Sequence, residues 1–203
     1  MHRAAASTVV LGAFFLSACA TVGRPFERPR PGELVLHRTT RADLERRFGA
    51  PASTCACVIG GAPVTELRWA YGAQTDVHTV LRQRVLTVDL VDDRLVAYSY
   101  ATSFPAEQPA LDAARAGQIV RGKTTRAEVL ALFGAPLGEA DPPVAVAGKN
   151  VVSYAVHRRT TNAASTVDEE LVVTFDGAGV VADVFLDVSG KDAPPALRRV
   201  SQR

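Results

Sequence analysis

Chemistry in this 203-residue chain would have to come from a short set of groups: three cysteines, four scattered histidines, two runs of adjacent acids and one glycine-lysine stretch. That stretch, Gly117-Gln118-Ile119-Val120-Arg121-Gly122-Lys123-Thr124, fits the phosphate-loop pattern GxxxxGK[ST] letter for letter. A working phosphate loop follows a buried parallel strand and opens a long helix, so that backbone N–H groups cradle the phosphates. Here the preceding Leu111 to Ala116 reads as helix, and the following helix stops at Gly134. Nucleotide binding is not expected. There is no GxSxG elbow and no HExxH helix. Asp92 with Asp93, and Asp168 with Glu169 and Glu170, fall at turns and strand starts, where acids solvate and shape the chain. Nothing in the sequence makes them converge across a cleft as a glycosidase pair does. The expectation is a chain without catalysis, metal or cofactor.

The cysteines point to a cellular place. His2 and Arg3 precede an apolar run, Ala4 to Leu16, that ends Leu16-Ser17-Ala18-Cys19. The run is shorter than the roughly 20 residues of a membrane span, and the charged start and small residues give it the form of a secretory signal. Leu-Ser-Ala-Cys resembles the lipobox of bacterial lipoproteins, in which the cysteine is lipidated and becomes the mature N-terminus. Residues 1–18 are thus expected to be a signal peptide and Cys19 the lipidation site. Ala20 follows, where an Asp would favour inner-membrane retention in many Gram-negative bacteria; the expected anchor is in outer-membrane lipid, facing the periplasm. Residues 19–31 carry the lipidated Cys and a stretch rich in Pro and Arg, and predict a tether roughly 30 Å long at about 3.1 Å per residue. Cys55 and Cys57, separated by Ala56, would form either a strained local disulfide or two quiet thiols. Metal or redox chemistry at this pair lacks further partners, His78 being a lone candidate ligand.

The elements that would carry these groups come from a duplication. Thr39 to Pro51, TTRADLERRFGAP, recurs 85 positions later as Thr124 to Pro136, TTRAEVLALFGAP. Each copy predicts a short capped helix: Thr40 with Asp43 three residues on, Thr125 with Glu128, then apolar residues ending in Phe48 or Phe133, then Gly-Ala-Pro. The same offset aligns the strand candidates Val64–Tyr71, Gln83–Val91 and Leu95–Thr102 with Val151–His157, Glu169–Asp176 and Val180–Val188. Leu86, Val88 and Leu90 alternate with polar or small residues, as do Leu171, Val173 and Phe175. Trp69 and Tyr154 fall at equivalent positions and read as core. The Ala-rich stretch Glu107 to Gln118 predicts an entrance helix for the second copy. Two small domains follow, 32–104 and 105–189, with a loose tail at 190–203.

With this pattern assembled, the chain resembles the SmpA/OmlA (BamE-like) family of small outer-membrane lipoproteins. The resemblance lies in Gly122-Lys123-Thr124-Thr125-Arg126-Ala127-Glu128-Val129, Leu132-Phe133-Gly134-Ala135-Pro136, the aromatic strands at Trp69-Ala70-Tyr71 and Tyr154, and the strand-turn-strand from Val172 to Val181. It implies an α+β fold of two tandem helix-helix-three-strand units, antiparallel sheets with helices on one face. It also implies a non-catalytic scaffold that binds a protein partner in envelope or outer-membrane protein assembly. Paired units are similar as well to beta-lactamase inhibitor proteins, which present a concave sheet to an enzyme; the alternative expectation is a periplasmic inhibitor or ligand-binding module. The apolar fraction of 47% fits a packed protein, and a net charge of +2 without a long basic run gives nucleic-acid binding no support.

Overall fold

A computed structural model of the chain describes residues 21–74, 82–109, 111–145, 149–159, 166–190 and 200–201. The two repeat helices, α1 (Arg41–Phe48) and α3 (Arg126–Phe133), begin and end alike. The Thr40 and Thr125 side chains accept from the N–H of Asp43 and Glu128, whose carboxylates accept in return from the Thr N–H, closing a capping box on each helix. The chain then turns through Gly49 (φ 80°) and Gly134 (φ 76°), left-handed conformations that cost glycine little. Helices of eight residues are marginal alone, so their buried faces must hold them: Leu44 with Phe48, and Val129 with Phe133.

What they pack on is one antiparallel sheet. Its strands are β1 (Thr21–Gly23), β2 (Ser53–Ile59), β3 (Ala62–Ala73), β4 (Arg82–Val91), β5 (Arg94–Thr102), β6 (Gly138–Ala140), β7 (Asn150–Arg159), β8 (Thr166–Phe175), β9 (Val181–Gly190) and β10 (Val200–Ser201). The order across the sheet is β1-β3-β4-β5-β6-β7-β8-β9-β10, with β2 on the same edge of β3 as β1. This corrects the expectation of two tandem helix-helix-three-strand units. The reason is β6, a stretch that reads as loop in the sequence. It pairs with β5 through Ala97–Ala140, Tyr98–Glu139 and Ser99–Gly138, and with β7 through Gly138–Ser153, Glu139–Val152 and Ala140–Val151. The backbone ladder therefore runs unbroken from the first copy into the second.

The entrance helix expected over Glu107 to Gln118 is also corrected. It shrinks to a 3-10 turn at Pro105–Glu107 and a single turn, α2 (Ala113–Ala116). Pro109 lacks the N–H a continuous helix would need, and Asp112 caps α2 from its own side chain. The residues expected to form a free tether are packed as well: Thr21–Gly23 pair with Tyr71–Ala73, and Phe26 is buried edge-on against Phe48 and Tyr100. Residues 1–20, with the signal segment and Cys19, lie outside the described residues, as does most of the tail beyond Gly190; Val200 and Ser201 pair with β9.

Two apolar clusters fill the helix side of the sheet. One joins Phe26, Leu44, Phe48, Leu67, Trp69, Leu86 and Val88, and the other joins Val129, Phe133, Val152, Tyr154, Leu171, Val173 and Phe175. The duplication extends to polar detail. Trp69 Nε1 donates to the Gly49 carbonyl at 2.9 Å, and the Tyr154 hydroxyl donates to the Gly134 carbonyl at 3.0 Å. Each aromatic thus ties its strand to the end of its helix while its ring packs on Phe48 or Phe133. Both are core residues.

Candidate functional site

Alternation along the strands sends Leu67, Trp69, Leu86, Val88, Leu171 and Val173 to the helices and their neighbours to the opposite face. No helix covers that opposite face among the described residues. The strand registers line up one row straight across it: Ser53, Arg68, Thr87 and Ser99 from the first copy, then Gly138, Ser153, Val172 and Phe185 from the second. The middle of the row, Ser99-Gly138-Ser153, is made of the smallest side chains, while Arg68 and a half-exposed Phe185 stand one strand in from its ends, Ser53 and Ser201. Side-chain bulk on this face is therefore least along the junction of the copies. Gly138 is required there, because a Cβ would stand 2.5 Å from Ser153 Oγ and 2.9 Å from the Tyr98 carbonyl oxygen.

Acids flank the row. Glu66 and Asp89 are cross-strand neighbours, and Glu170 and Asp187 form the same kind of pair in the second copy, with Asp183 beyond the row. Asp89 is pushed up to about 6, first by desolvation and then by the Glu66 charge. One corner of the face is closed: Pro143 lies against Gly60, and Val64 and Ala97, which alternation places on this side, are buried.

On the helix side the first copy holds an ion network. Glu107 accepts from the Arg84 guanidinium, from the Tyr100 hydroxyl at 2.6 Å and from the Thr102 hydroxyl at 3.0 Å, while Arg84 lies over the Phe104 ring at 4.2 Å. Burial pushes Glu107 up, but the hydrogen bonds from Arg84, Tyr100 and Thr102 outweigh it and its carboxyl stays below the usual range. This network locks the link between the copies to β4 and β5. Its groups are spent on one another, which makes it structural.

The residues singled out from the sequence are dispersed. The phosphate-loop stretch is a turn whose donors are already used: Gly122 N–H goes to Val181 O, Lys123 and Thr124 N–H to Val120 O, and Val120 N–H to Thr124 Oγ1. The first copy builds the same turn, with Arg38 and Thr39 N–H on Val35 O and His37 at φ 60° where Gly122 has φ 69°. A helix entrance accounts for both. Asp92 and Asp93 take positive φ in the β4–β5 turn, and Asp176 Oδ1 accepts from Ala178 and Val180 N–H in the β8–β9 turn. Asp168 to Glu170 lie within β8. No group of three or more His, Cys, Asp or Glu that could hold a metal occurs among the described residues.

Cys55 and Cys57 are free thiols on β2. The extended strand disfavours the local disulfide: residues two apart on a strand point the same way with Cβ atoms about 6.6 Å apart, whereas a disulfide needs roughly 3.5–4.5 Å. Desolvation, and after it the neighbouring Cys55, Asp89 and Glu66, raise the Cys57 thiol above its usual range. The sequence reading missed β2 and the transverse row. Ser53–Ile59 followed by Gly60-Gly61 is an apolar run ending in a hairpin signal, enough to predict a strand. The row needed the registers, which sequence does not supply.

No family model matches the chain, and no curated protein matches it either. Among solved structures it is similar to a candidate beta-lactamase inhibitor protein from Streptococcus mutans, with a TM-score of 0.45 and 15% identity over 77% of this chain and 84% of that one.

Proposed function

We propose that this chain is a non-catalytic protein-binding module of the cell envelope that seats a folded partner on the open face of its sheet. The observation that supports this reading is the transverse row, with small residues at its centre, the larger Arg68 and Phe185 to either side and acids on both flanks. A face with so little side-chain bulk at its centre accepts a protruding loop, and the carboxylates on either side favour a partner with a basic rim. Among the two uses expected from the sequence, a module that occludes a soluble partner is preferred to a scaffold of outer-membrane protein assembly. The latter leaned on separate helix-helix-three-strand units, and the continuous sheet replaces them. Attachment to outer-membrane lipid through Cys19 belongs to the same proposal; fatty-acid labelling of the wild type, absent in Cys19→Ser, supports it, and an unlabelled wild type removes it.

The docking face is tested with photo-crosslinking residues placed singly at Ser99 and Ser153 on the open side and at Ala42 and Ala131 on the exposed side of the helices. Adducts from the first pair alone, abolished by Thr87→Arg, are the expected result. Adducts only from the helix positions would overturn the assignment.

A further inference from the structure

Among the described residues, the first copy leaves an edge open that the second copy uses. At the 85-residue offset β2 corresponds to the region of β6, and the outer side of β6 is taken by β5 in antiparallel pairing. The outer side of β2 has no strand on it among the described residues, because β1 pairs with β3 further along, at Tyr71 to Ala73. Ser53–Ile59 contains no proline and no charge, and Val58 is 72% exposed. Such an edge invites another strand.

The hairpin fixes which backbone groups face outward. Ile59 and Ala62 close a two-residue loop, Gly60-Gly61, with both glycines at positive φ, and the pair flanking such a loop exchanges both hydrogen bonds. Counting back by twos, Cys57 and Cys55 spend their N–H and C=O groups on β3, while Val58, Ala56 and Thr54 turn theirs to the free edge. Pro63 lies opposite Val58, a position where β3 owes β2 no N–H.

We propose that β2 pairs antiparallel with β2 of a second copy of this chain, about a two-fold axis through Ala56, and that two interchain Cys55–Cys57 disulfides lock the pair. In this register the outward groups meet: Thr54 with Val58 of the other copy, Ala56 with its own equivalent, Val58 with Thr54. Each Cys55 then faces a Cys57 across a non-hydrogen-bonded pair, where Cα atoms stand about 4.5 Å apart, inside the roughly 4.4–6.8 Å of disulfides. The spacing that disfavours a bond within one strand places both thiols of each copy opposite those of the other. Oxidation joins four thiols into two S–S bonds, and two molecules of a small disulfide such as oxidised glutathione take up the electrons and protons as four thiols. Opposed residues in a ladder point to one side, so the open faces of both copies join as one surface.

The test uses the full chain carrying Cys19→Ser, which leaves two thiols, oxidised with glutathione disulfide and run on non-reducing gels with peptide mapping of the bridges. The expected product is a dimer containing only Cys55–Cys57 bridges between chains. Cys55→Ser alone and Cys57→Ser alone should each lose the dimer band, because like thiols lie diagonally across the ladder. Mixing the two single variants in equal amounts should restore a dimer held by one bridge. Ala56→Pro, which removes the outward N–H on the axis, should abolish crosslinking while the circular dichroism spectrum is kept. An intrachain Cys55–Cys57 bridge, dimers from either single variant alone, or a ladder of higher oligomers from head-to-tail pairing would each overturn the proposal.

Discussion

The two copies build their helix sockets alike and their borders differently. Phe48 on Trp69 and Phe133 on Tyr154, each aromatic tied to a glycine carbonyl, are the same device made twice. At the borders, β6 is three residues long and enclosed on both sides, whereas β2 is seven residues long and, among the described residues, open on one. What the copies share is what makes each half fold. What they do not share decides how the halves are joined and what the molecule offers to others.

The largest effects should come from breaking the shared device. Phe48→Ala and Phe133→Ala each remove a buried ring and should cost about 3–5 kcal/mol. Phe48 also touches Phe26 and lies under the Arg47 guanidinium, so its loss should be the greater of the two in denaturant melts of the full chain. A harmless Phe133→Ala would mean that the second socket is not the equivalent of the first. Next comes the joint. Gly138→Val forces a side chain against Ser153 and the Tyr98 carbonyl and should cost roughly 1–3 kcal/mol. It should also split a single melting transition into two; a variant that still melts in one step would show that β6 is not what couples the halves.

A smaller effect distinguishes the copies by pH. Asp89, raised to about 6, has Thr174 at the equivalent position. A carboxyl whose folded value is raised keeps its proton while the unfolded chain has lost it, so stability falls as pH rises from about 4 to 6 and is level above. The full shift corresponds to about 3 kcal/mol, which contact with water reduces to about 1 kcal/mol. Asp89→Asn should remove that slope and leave the protein more stable at pH 7; an unchanged slope would assign it elsewhere. Glu107 works in the opposite sense, its contribution being present above its ordinary value and lost as pH falls through its lowered one. Smallest of all, Lys123→Ala should cost less than about 0.5 kcal/mol, since the turn it occupies is held by backbone bonds. A crippled Lys123→Ala would reopen the phosphate-loop reading.

The contrast also marks what the sequence could disclose. The two repeat helices, their caps and the six long strands were legible because each is announced by local chemistry: Thr-x-x-acid, Phe-Gly-Ala-Pro, alternation of apolar residues. The union into one sheet was not, because it depends on Gly138 to Ala140, three residues with no strand signature that are recruited by neighbours on both sides. The packed course of residues 21–31 was hidden for a similar reason. Prolines and arginines read as tether, while the single Phe26 and a three-residue pairing dock it. The open face follows from alternation only with the registers, and the choice between a strained local disulfide and two quiet thiols at Cys55 and Cys57 turns on β2 being extended.

The short β6 gives the sheet a waist. Neighbouring strands of nine and ten residues meet there across three ladder pairs, extended by backbone bonds from Tyr100 to Leu137, Leu137 to Ser153 and Asp141 to Val96, so this is the narrowest line of the sheet. The side chains that would collide on closing toward the open face are Ser99 and Ser153 with only a hydrogen at Gly138 between them. The crease has been cleared of bulk. If a partner sits on the open face as proposed, this crease is the line along which the sheet would close on it, as the two leaves of a book close on a finger.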